Sequence, residues 1–312
     1  MTTKQVNKPV GWGPRPMRDR GVEGYWTPER IAAAKPIPMP KVPEVEGRAE
    51  EVKAEGPPGS VPPGYPKGHQ GAAAREGAGA AEIEPRGRGG NPVAAPLAFP
   101  YMTCGRLFFT QDDVPLSASA SVVGRNLLLT AGHCVYYGKW SKNVMFSPSF
   151  PDRIPTDPAG QFLYSYEATW TAWTKHSDRA FDYGFIWVNE NPGDALGWLG
   201  MMWNASTKGR TWDAVGYPGT PSPPFNATEM IEAIGKVASS SAPGTIGLTN
   251  DNMEHGSSGG PWLTDYKGSV RDYANGLQSF HITDGSFTEY GPYFTGDVKT
   301  LYEWISDPAN RR

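Results

Sequence analysis

Cysteine is nearly absent from this 312-residue chain: Cys104 and Cys134 are the only two, which excludes a four-thiolate zinc cage and a disulfide framework. Long apolar runs are missing too. No stretch approaches the roughly 18 consecutive apolar residues that span a bilayer, and the start, MTTKQVNKPVGWG, lacks the apolar core of a secretory signal. Neither a membrane segment nor an export address is therefore expected. Positive charge is scarce after residue 95, where 15 Lys and Arg face 21 Asp and Glu, a net charge near −6. Such a surface suits phosphate backbones poorly, so nucleic acid is not expected as a partner. No internal repeat period is visible either.

What is present is unevenly spread. Residues 1–95 carry 15 of the 31 prolines and 15 of the 38 glycines, in strings such as KPIPMPKVPEVEG and GPPGSVPPGYPKG and the small-residue run GAAAREGAGAAEIEPRGRGGNP. Sequence of this kind buries too little apolar surface to offset the roughly 1–2 kcal/mol per residue that backbone ordering costs. It predicts disorder or an extended wrap, read either as a flexible tail or as a propeptide. One short helix is expected within it, with Thr27 as cap, Pro28 at the first helical position and Pro36 as the stop. The chain divides on this basis into a Pro/Gly-rich extension, 1–95, and a folded domain, 96–312.

From residue 97 the texture changes to short runs of β-branched and aromatic residues between turn formers: GRLFFT, QDDVP, LSASASVV, GRN, LLLTAG. Phe162, Tyr164, Tyr166, Ala168, Trp170 and Ala172 alternate strictly and so share one strand face. Many short strands at close spacing point to an all-β barrel or sandwich. Val298, Leu301, Tyr302 and Ile305 follow a helical spacing behind Asp297, which predicts a capped C-terminal helix.

Three motifs carry chemistry: Thr130-Ala131-Gly132-His133-Cys134, Phe181-Asp182-Tyr183-Gly184 and His255-Gly256-Ser257-Ser258-Gly259-Gly260-Pro261. A serine hydroxyl is a weak nucleophile that needs a base for its proton and donors for the oxyanion it creates. Gly256 lets the chain turn so that the amides of Gly256 and Ser258 converge on one point. His133, at the end of the apolar run Leu127–Leu129, can exchange a proton near neutral pH. Asp182 abuts the apolar run 183–188, where a carboxylate can fix one tautomer of His133; Asp178 is its rival. Each motif alone reads more readily as a turn or a structural residue, so the joint pattern is what matters.

That pattern, TAGHC then DYGFIWV then GSSGGPW, resembles the trypsin-like (chymotrypsin-fold) serine peptidases, in particular the bacterial and fungal branch that includes the V8-type glutamyl endopeptidases. Val215-Gly216-Tyr217-Pro218, the run Asn275–Phe280 and Pro292-Tyr293-Phe294 are similar to that branch as well, so the resemblance spans about residues 97–306. It implies an all-β fold of two six-stranded antiparallel barrels and a C-terminal helix. His133 and Asp182 would come from the first barrel and Ser258 from the second. It further implies peptide hydrolysis through an acyl-enzyme, with Gly256 and Ser258 as the oxyanion hole and Ser279, Phe280 and His281 as the edge that pairs with substrate backbone. Asn252, Met253, Glu254 and Gln278 would form the pocket base, with His255 beside it. A polypeptide substrate, a monomer, secretion, and no metal or organic cofactor complete what the resemblance implies.

The departures are specific. Ser257 stands where animal-type members carry the aspartate that pairs with a freed N-terminus, so that activation route is absent. The usual partner of Cys134 would lie at Ala118, and a bond from Cys134 to Cys104 is left open. Glutamyl-specific relatives carry a histidine at the position of Gln278 and a threonine near Met253, so an acidic preference is not expected. Glu254 would favour a basic side chain if it points inward and is merely solvated if it points outward; His255 and His281 could instead meet a carboxylate. The alternative function is a catalytically silent, protease-like peptide-binding protein. Asn204-Ala205-Ser206 and Asn226-Ala227-Thr228 are glycosylation sequons, relevant only to a secreted eukaryotic chain.

Overall fold

The computed structural model describes residues 7–13, 24–43, 52, 54, 56–69, 87–151, 160–219, 225–265, 271–282 and 286–311. Most of the small-residue run, 71–86, lies outside them.

Six strands form the first barrel: β1 (Cys104–Gln111), β2 (Val114–Gly124), β3 (Leu127–Thr130), β4 (Lys142–Pro148), β5 (Phe162–Trp170) and β6 (Gly184–Val188). Every neighbouring pair is antiparallel, and the ring closes in the order β1-β2-β3-β6-β5-β4 back to β1. The β1–β2 hairpin turns on Asp112 and Asp113, whose φ angles are 48° and 62°. A two-residue turn needs this left-handed backbone, and aspartate tolerates it. On β2 the period of two separates roles: Ala118, Ala120 and Val122 join the barrel core, while the Ser119 hydroxyl reaches segments of the second sheet. The expected alternation on β5 is interrupted by a bulge between Tyr164 and Tyr166, where Tyr166 is only partly buried and Glu167 is buried, and it ends at Trp170, because Thr171–His176 is helical and takes Ala172 with it.

The second sheet consists of β7 (Gly200–Trp203), β8 (Thr211–Gly216), β9 (Ile231–Ala238), β10 (Thr245–Thr249), β11 (Pro261–Thr264), β12 (Tyr273–Leu277), β13 (Phe280–Ile282) and β14 (Thr288–Pro292). Its order is β13-β14-β10-β9-β8-β11-β12-β7. The pairs are antiparallel except β7–β12. At residues 278–279 the chain passes from one end of the sheet to the other: the Gln278 amide donates to Gly260 and the Ser279 amide to Tyr290. The sheet therefore curls around a core that contains Trp212, Trp262, Leu248 and Met253.

The described parts of the N-terminal third follow the extended-wrap alternative. Pro9–Trp12 adds to β5, Lys35–Pro36 to β2, Lys41–Val42 to β13, Gly59–Val61 to β7 and Asn91–Pro92 to β9. The one helix among them, Pro28–Ala33, is capped by Thr27, whose hydroxyl accepts from the Arg30 amide; it ends at Ala34, before Pro36. Trp26, 6% exposed, anchors this stretch against Phe108.

The C-terminal helix spans Gly296–Ser306 and buries Val298, Leu301 and Ile305. Each such side chain contributes about 1.5–3 kcal/mol of hydrophobic stabilisation. Its cap is Thr295, not Asp297: the Thr295 hydroxyl accepts from the Asp297 amide and donates to the Asp297 carboxylate. Cys104 and Cys134 are both buried and free, which settles the open pairing against a bond. Among the described residues no helix is long and apolar enough to cross a membrane.

Candidate active site

His133 sits in the short helix Gly132–Val135 that follows β3, and Asp182 in the turn that leads into β6. Because β3 and β6 are paired neighbours, their ends deliver the two side chains to one place. The His133 Nδ1 lies 2.9 Å from Asp182 Oδ2, and the His133 amide donates to Oδ1 at 2.7 Å. A carboxylate held by both ring and backbone of one residue fixes the ring orientation, and it leaves Nε2 as the nitrogen for proton exchange. Asp178 has a different place: it is exposed and caps the turn at 179–181.

Two further groups hold Asp182. The Ser279 hydroxyl donates to Oδ2 at 2.6 Å, and Arg179 Nη1 stands 3.6 Å from the same oxygen. Burial alone would raise the Asp182 carboxyl, but the imidazole, Arg179 and Ser279 outweigh it and hold it below the usual range. The converse applies to His133: burial opposes its positive charge, yet the Asp182 carboxylate lifts the imidazole above its ordinary value.

Ser258 is fully buried on the loop before β11. Its fixed position comes from backbone contacts. The carbonyl of Ser258 accepts from the Ser119 amide at 2.9 Å, the Gly259 amide donates to Gln278, and the Gly260 amide donates to Ser257. Gly256 and Gly259 have φ of 89° and 83°, and a Cβ on Gly259 would collide with Thr130 and with the Ser119 carbonyl. Ser119 connects the first barrel to this loop: its hydroxyl donates to the Gly256 carbonyl and accepts from the Tyr217 amide, each at 2.9 Å. His133 Nε2 and Ser258 Oγ are among the buried side-chain atoms that have no hydrogen-bond partner within the described residues. Ser257 turns away, donating to the Glu254 carbonyl at 2.6 Å.

The Gly256 amide donates to the carbonyl of Ile37 at 3.0 Å. One of the two amides that sequence reasoning assigns to an oxyanion therefore holds a backbone carbonyl of the N-terminal stretch.

The expected pocket residues divide. Met253 packs in the core beside Trp212 and Trp262. Gln278 is locked in a buried network, donating to Asp251 at 2.6 Å and accepting from the Trp262 indole at 3.3 Å. Asn252 accepts from the Gly90 amide at 2.7 Å. Glu254 lies at the rim, 3.6 Å from Lys41 Nζ. His255 accepts from the Met39 amide at 3.3 Å, and burial together with Lys41 lowers its basicity against the opposing pull of Glu254. His281 faces Glu289, with Nδ1 at 3.1 Å from Oε1; burial pushes the Glu289 carboxyl far up, and nearby Asp251 and Glu254 add to it. Phe280 is fully buried, stacked on Tyr290.

Ser119 and Arg179 were not found from the sequence. Ser119 lies in a Ser/Ala alternation that any strand could carry.

Comparison with known proteins bears on this arrangement. No protein-family model matches the chain. A curated relative, the "Extracellular metalloprotease" of Bacillus subtilis (strain 168), is 26% identical over 223 residues, covering 66% of this chain and 64% of its own length. The chain thus spans under two thirds of that relative. Its name implies a metal, but among the described residues no three His, Cys, Asp or Glu side chains group so as to hold one. Among solved structures, protease Anisep from Arthrobacter nicotinovorans is 27% identical with a TM-score of 0.57, covering 64% of this chain and 94% of its own. The thermostable serine protease AL20 from an extremophilic microorganism gives 24% and 0.58, over 66% of this chain and 97% of its own. A Glu endopeptidase gives 19% and 0.57, over 74% and 100%. The chain has the fold of the chymotrypsin-like serine proteases.

Proposed function

We propose that the chain is a serine endopeptidase with Ser258 as nucleophile, His133 as general base and then acid, and Asp182 as the orienting carboxylate. The observation that carries this reading is an imidazole fixed by a carboxylate through Nδ1 beside a buried serine: Cys134, next to His133, reaches the Ser258 carbonyl at 3.9 Å, and His133 Nε2 and Ser258 Oγ are both buried with no hydrogen bond joining them. Such hydrogen bonds are often long in resting enzymes and tighten when substrate arrives.

In this reading Ser258 Oγ attacks a substrate carbonyl while Nε2 takes its proton, the Gly256 and Ser258 amides hold the oxyanion, and the proton passes to the departing amine. Water then hydrolyses the acyl-enzyme by the same relay. Substrates are polypeptides and the site of action is extracellular, which the similarity to an extracellular protease supports. Residues 1–95 act as an extension or propeptide and 96–312 as the peptidase domain. The silent peptide-binding alternative has one observation in its favour: His133 and Ser258 are 1% and 0% exposed.

Peptide-library cleavage by the full chain, before and after nicking of its N-terminal third by a second protease, tests the reading. Cleavage is expected from the nicked chain and none from Ser258→Ala with unchanged circular dichroism. Equal cleavage by both chains contradicts it.

A further inference from the structure

Residues 34–42 run as an extended strap from β2 of the first barrel, past the loop that carries Ser258, to β13 of the second sheet. The Ala34 carbonyl accepts from Arg106 Nη2 at 3.3 Å. The Ile37 amide donates to Ser117 at 2.8 Å, and its carbonyl accepts from the Gly256 amide at 3.0 Å. The Met39 amide donates to His255 Nδ1 at 3.3 Å, the Pro40 carbonyl accepts from the His281 amide at 3.0 Å, and Lys41 Nζ sits 3.6 Å from Glu254. Ile37 and Met39 are 5% and 2% exposed. Prolines at 36, 38 and 40 keep the segment extended, which lowers the entropy lost when it docks.

The direction of the strap matters. Lys41–Val42 pairs with β13 in the parallel sense, His281 opposite Lys41. The resemblance to the chymotrypsin-like peptidases implies that the acyl side of a substrate, N-terminal to the attacked carbonyl, lies along Ser279–His281, the edge assigned to substrate backbone. In the strap the carbonyl at Gly256 belongs to Ile37. Its N-terminal side, Lys35–Pro36, lies on β2 of the first barrel, and its C-terminal side lies on β13. The two sides are exchanged, and the bond after that carbonyl leads to the nitrogen of Pro38.

We propose that the cleft between the first barrel and the second sheet is a binding site for an extended, proline-punctuated peptide taken in the reverse sense, bound without being cut, and that residues 34–42 are its resident ligand. This rests on the peptidase reading for its consequence, a closed enzyme, but the binding geometry stands apart from it. The ligand class follows from the contacts: backbone donors and acceptors for β2, Gly256 and β13, two buried apolar side chains, and a cation at the Glu254 end.

The test compares the full chain with its variants Lys41→Glu and Met39→Asp. Lys41 is half exposed, so its replacement removes a cation from Glu254 without disturbing the core. Labelling of Ser258 by a fluorophosphonate reports the fraction of open cleft. The wild-type chain should label slowest, Lys41→Glu faster, and Met39→Asp faster by about tenfold or more. A synthetic peptide of residues 34–42 should slow the Met39→Asp chain again and be recovered uncut. Equal labelling of all three chains, or cutting of the peptide after Ile37, overturns the proposal. If no chain reacts with the reagent, the peptidase reading fails instead, and a photoreactive group at the Lys41 end of the peptide decides for the strap. Crosslinks near Glu254 and His281 support it; crosslinks near Ser117, or none, overturn it.

Discussion

His133 and Asp182 form a buried pair whose charges depend on each other. The imidazole is lifted above its ordinary value and the carboxyl is held below its own, so the pair adds stability in full between about pH 4 and about pH 6.5; it loses it as pH rises through the raised imidazole value and as pH falls through the lowered carboxyl value. Asparagine at 182 removes both effects. Asp182→Asn is expected to bring the His133 titration, followed by NMR, down to lower pH and to slow Ser258 acylation by about ten-thousand-fold through loss of the correct tautomer. An unchanged titration contradicts the assignment of Asp182. At this scale the sequence was most informative where short motifs force geometry: the residues at the ends of two paired strands, and the glycines around Ser258. It was least informative for the pocket. Asn252, Met253 and Gln278 occupy the expected stretches, but their side chains are committed to Gly90, to the core and to Asp251. No local pattern reveals those tertiary partners, and the same is true of Arg179 beside Asp182.

Among the elements, the strands of the first barrel were legible because turn residues punctuate them, as at Asp112-Asp113. The end of β5 was not: Ala172 keeps the alternation although it already belongs to a helix, since a period of two continues by chance for one residue past a boundary. The C-terminal helix was readable from its apolar spacing, but its first residues were not, because Thr295 and Asp297 are both good caps by type. Their mutual hydrogen bond makes Thr295 the cap and Asp297 its partner. Thr295→Ala should therefore destabilise the chain by about 1 kcal/mol in urea unfolding, whereas loss of the same size from Asp297→Ala with none from Thr295→Ala contradicts the capping assignment.

For the whole molecule, the wrap of the N-terminal third is the feature that composition could bound but not trace. Proline-rich sequence carries no amphipathic period. The wrap docks instead through backbone pairing on open strands and through single anchors such as Trp26, Ile31, Ile37 and Met39. It joins both sheets, and its Ile37 carbonyl meets the loop that carries Ser258. The reading of an enzyme closed by its own chain rests on the chemistry beneath that strap. The most direct test is mass-spectrometric mapping of the fluorophosphonate adduct on the full-length Met39→Asp chain, beside the same chain with His133→Ala. The account predicts a single adduct, on Ser258, that disappears when His133 is removed; a folded chain modified at another serine with Ser258 intact would contradict it.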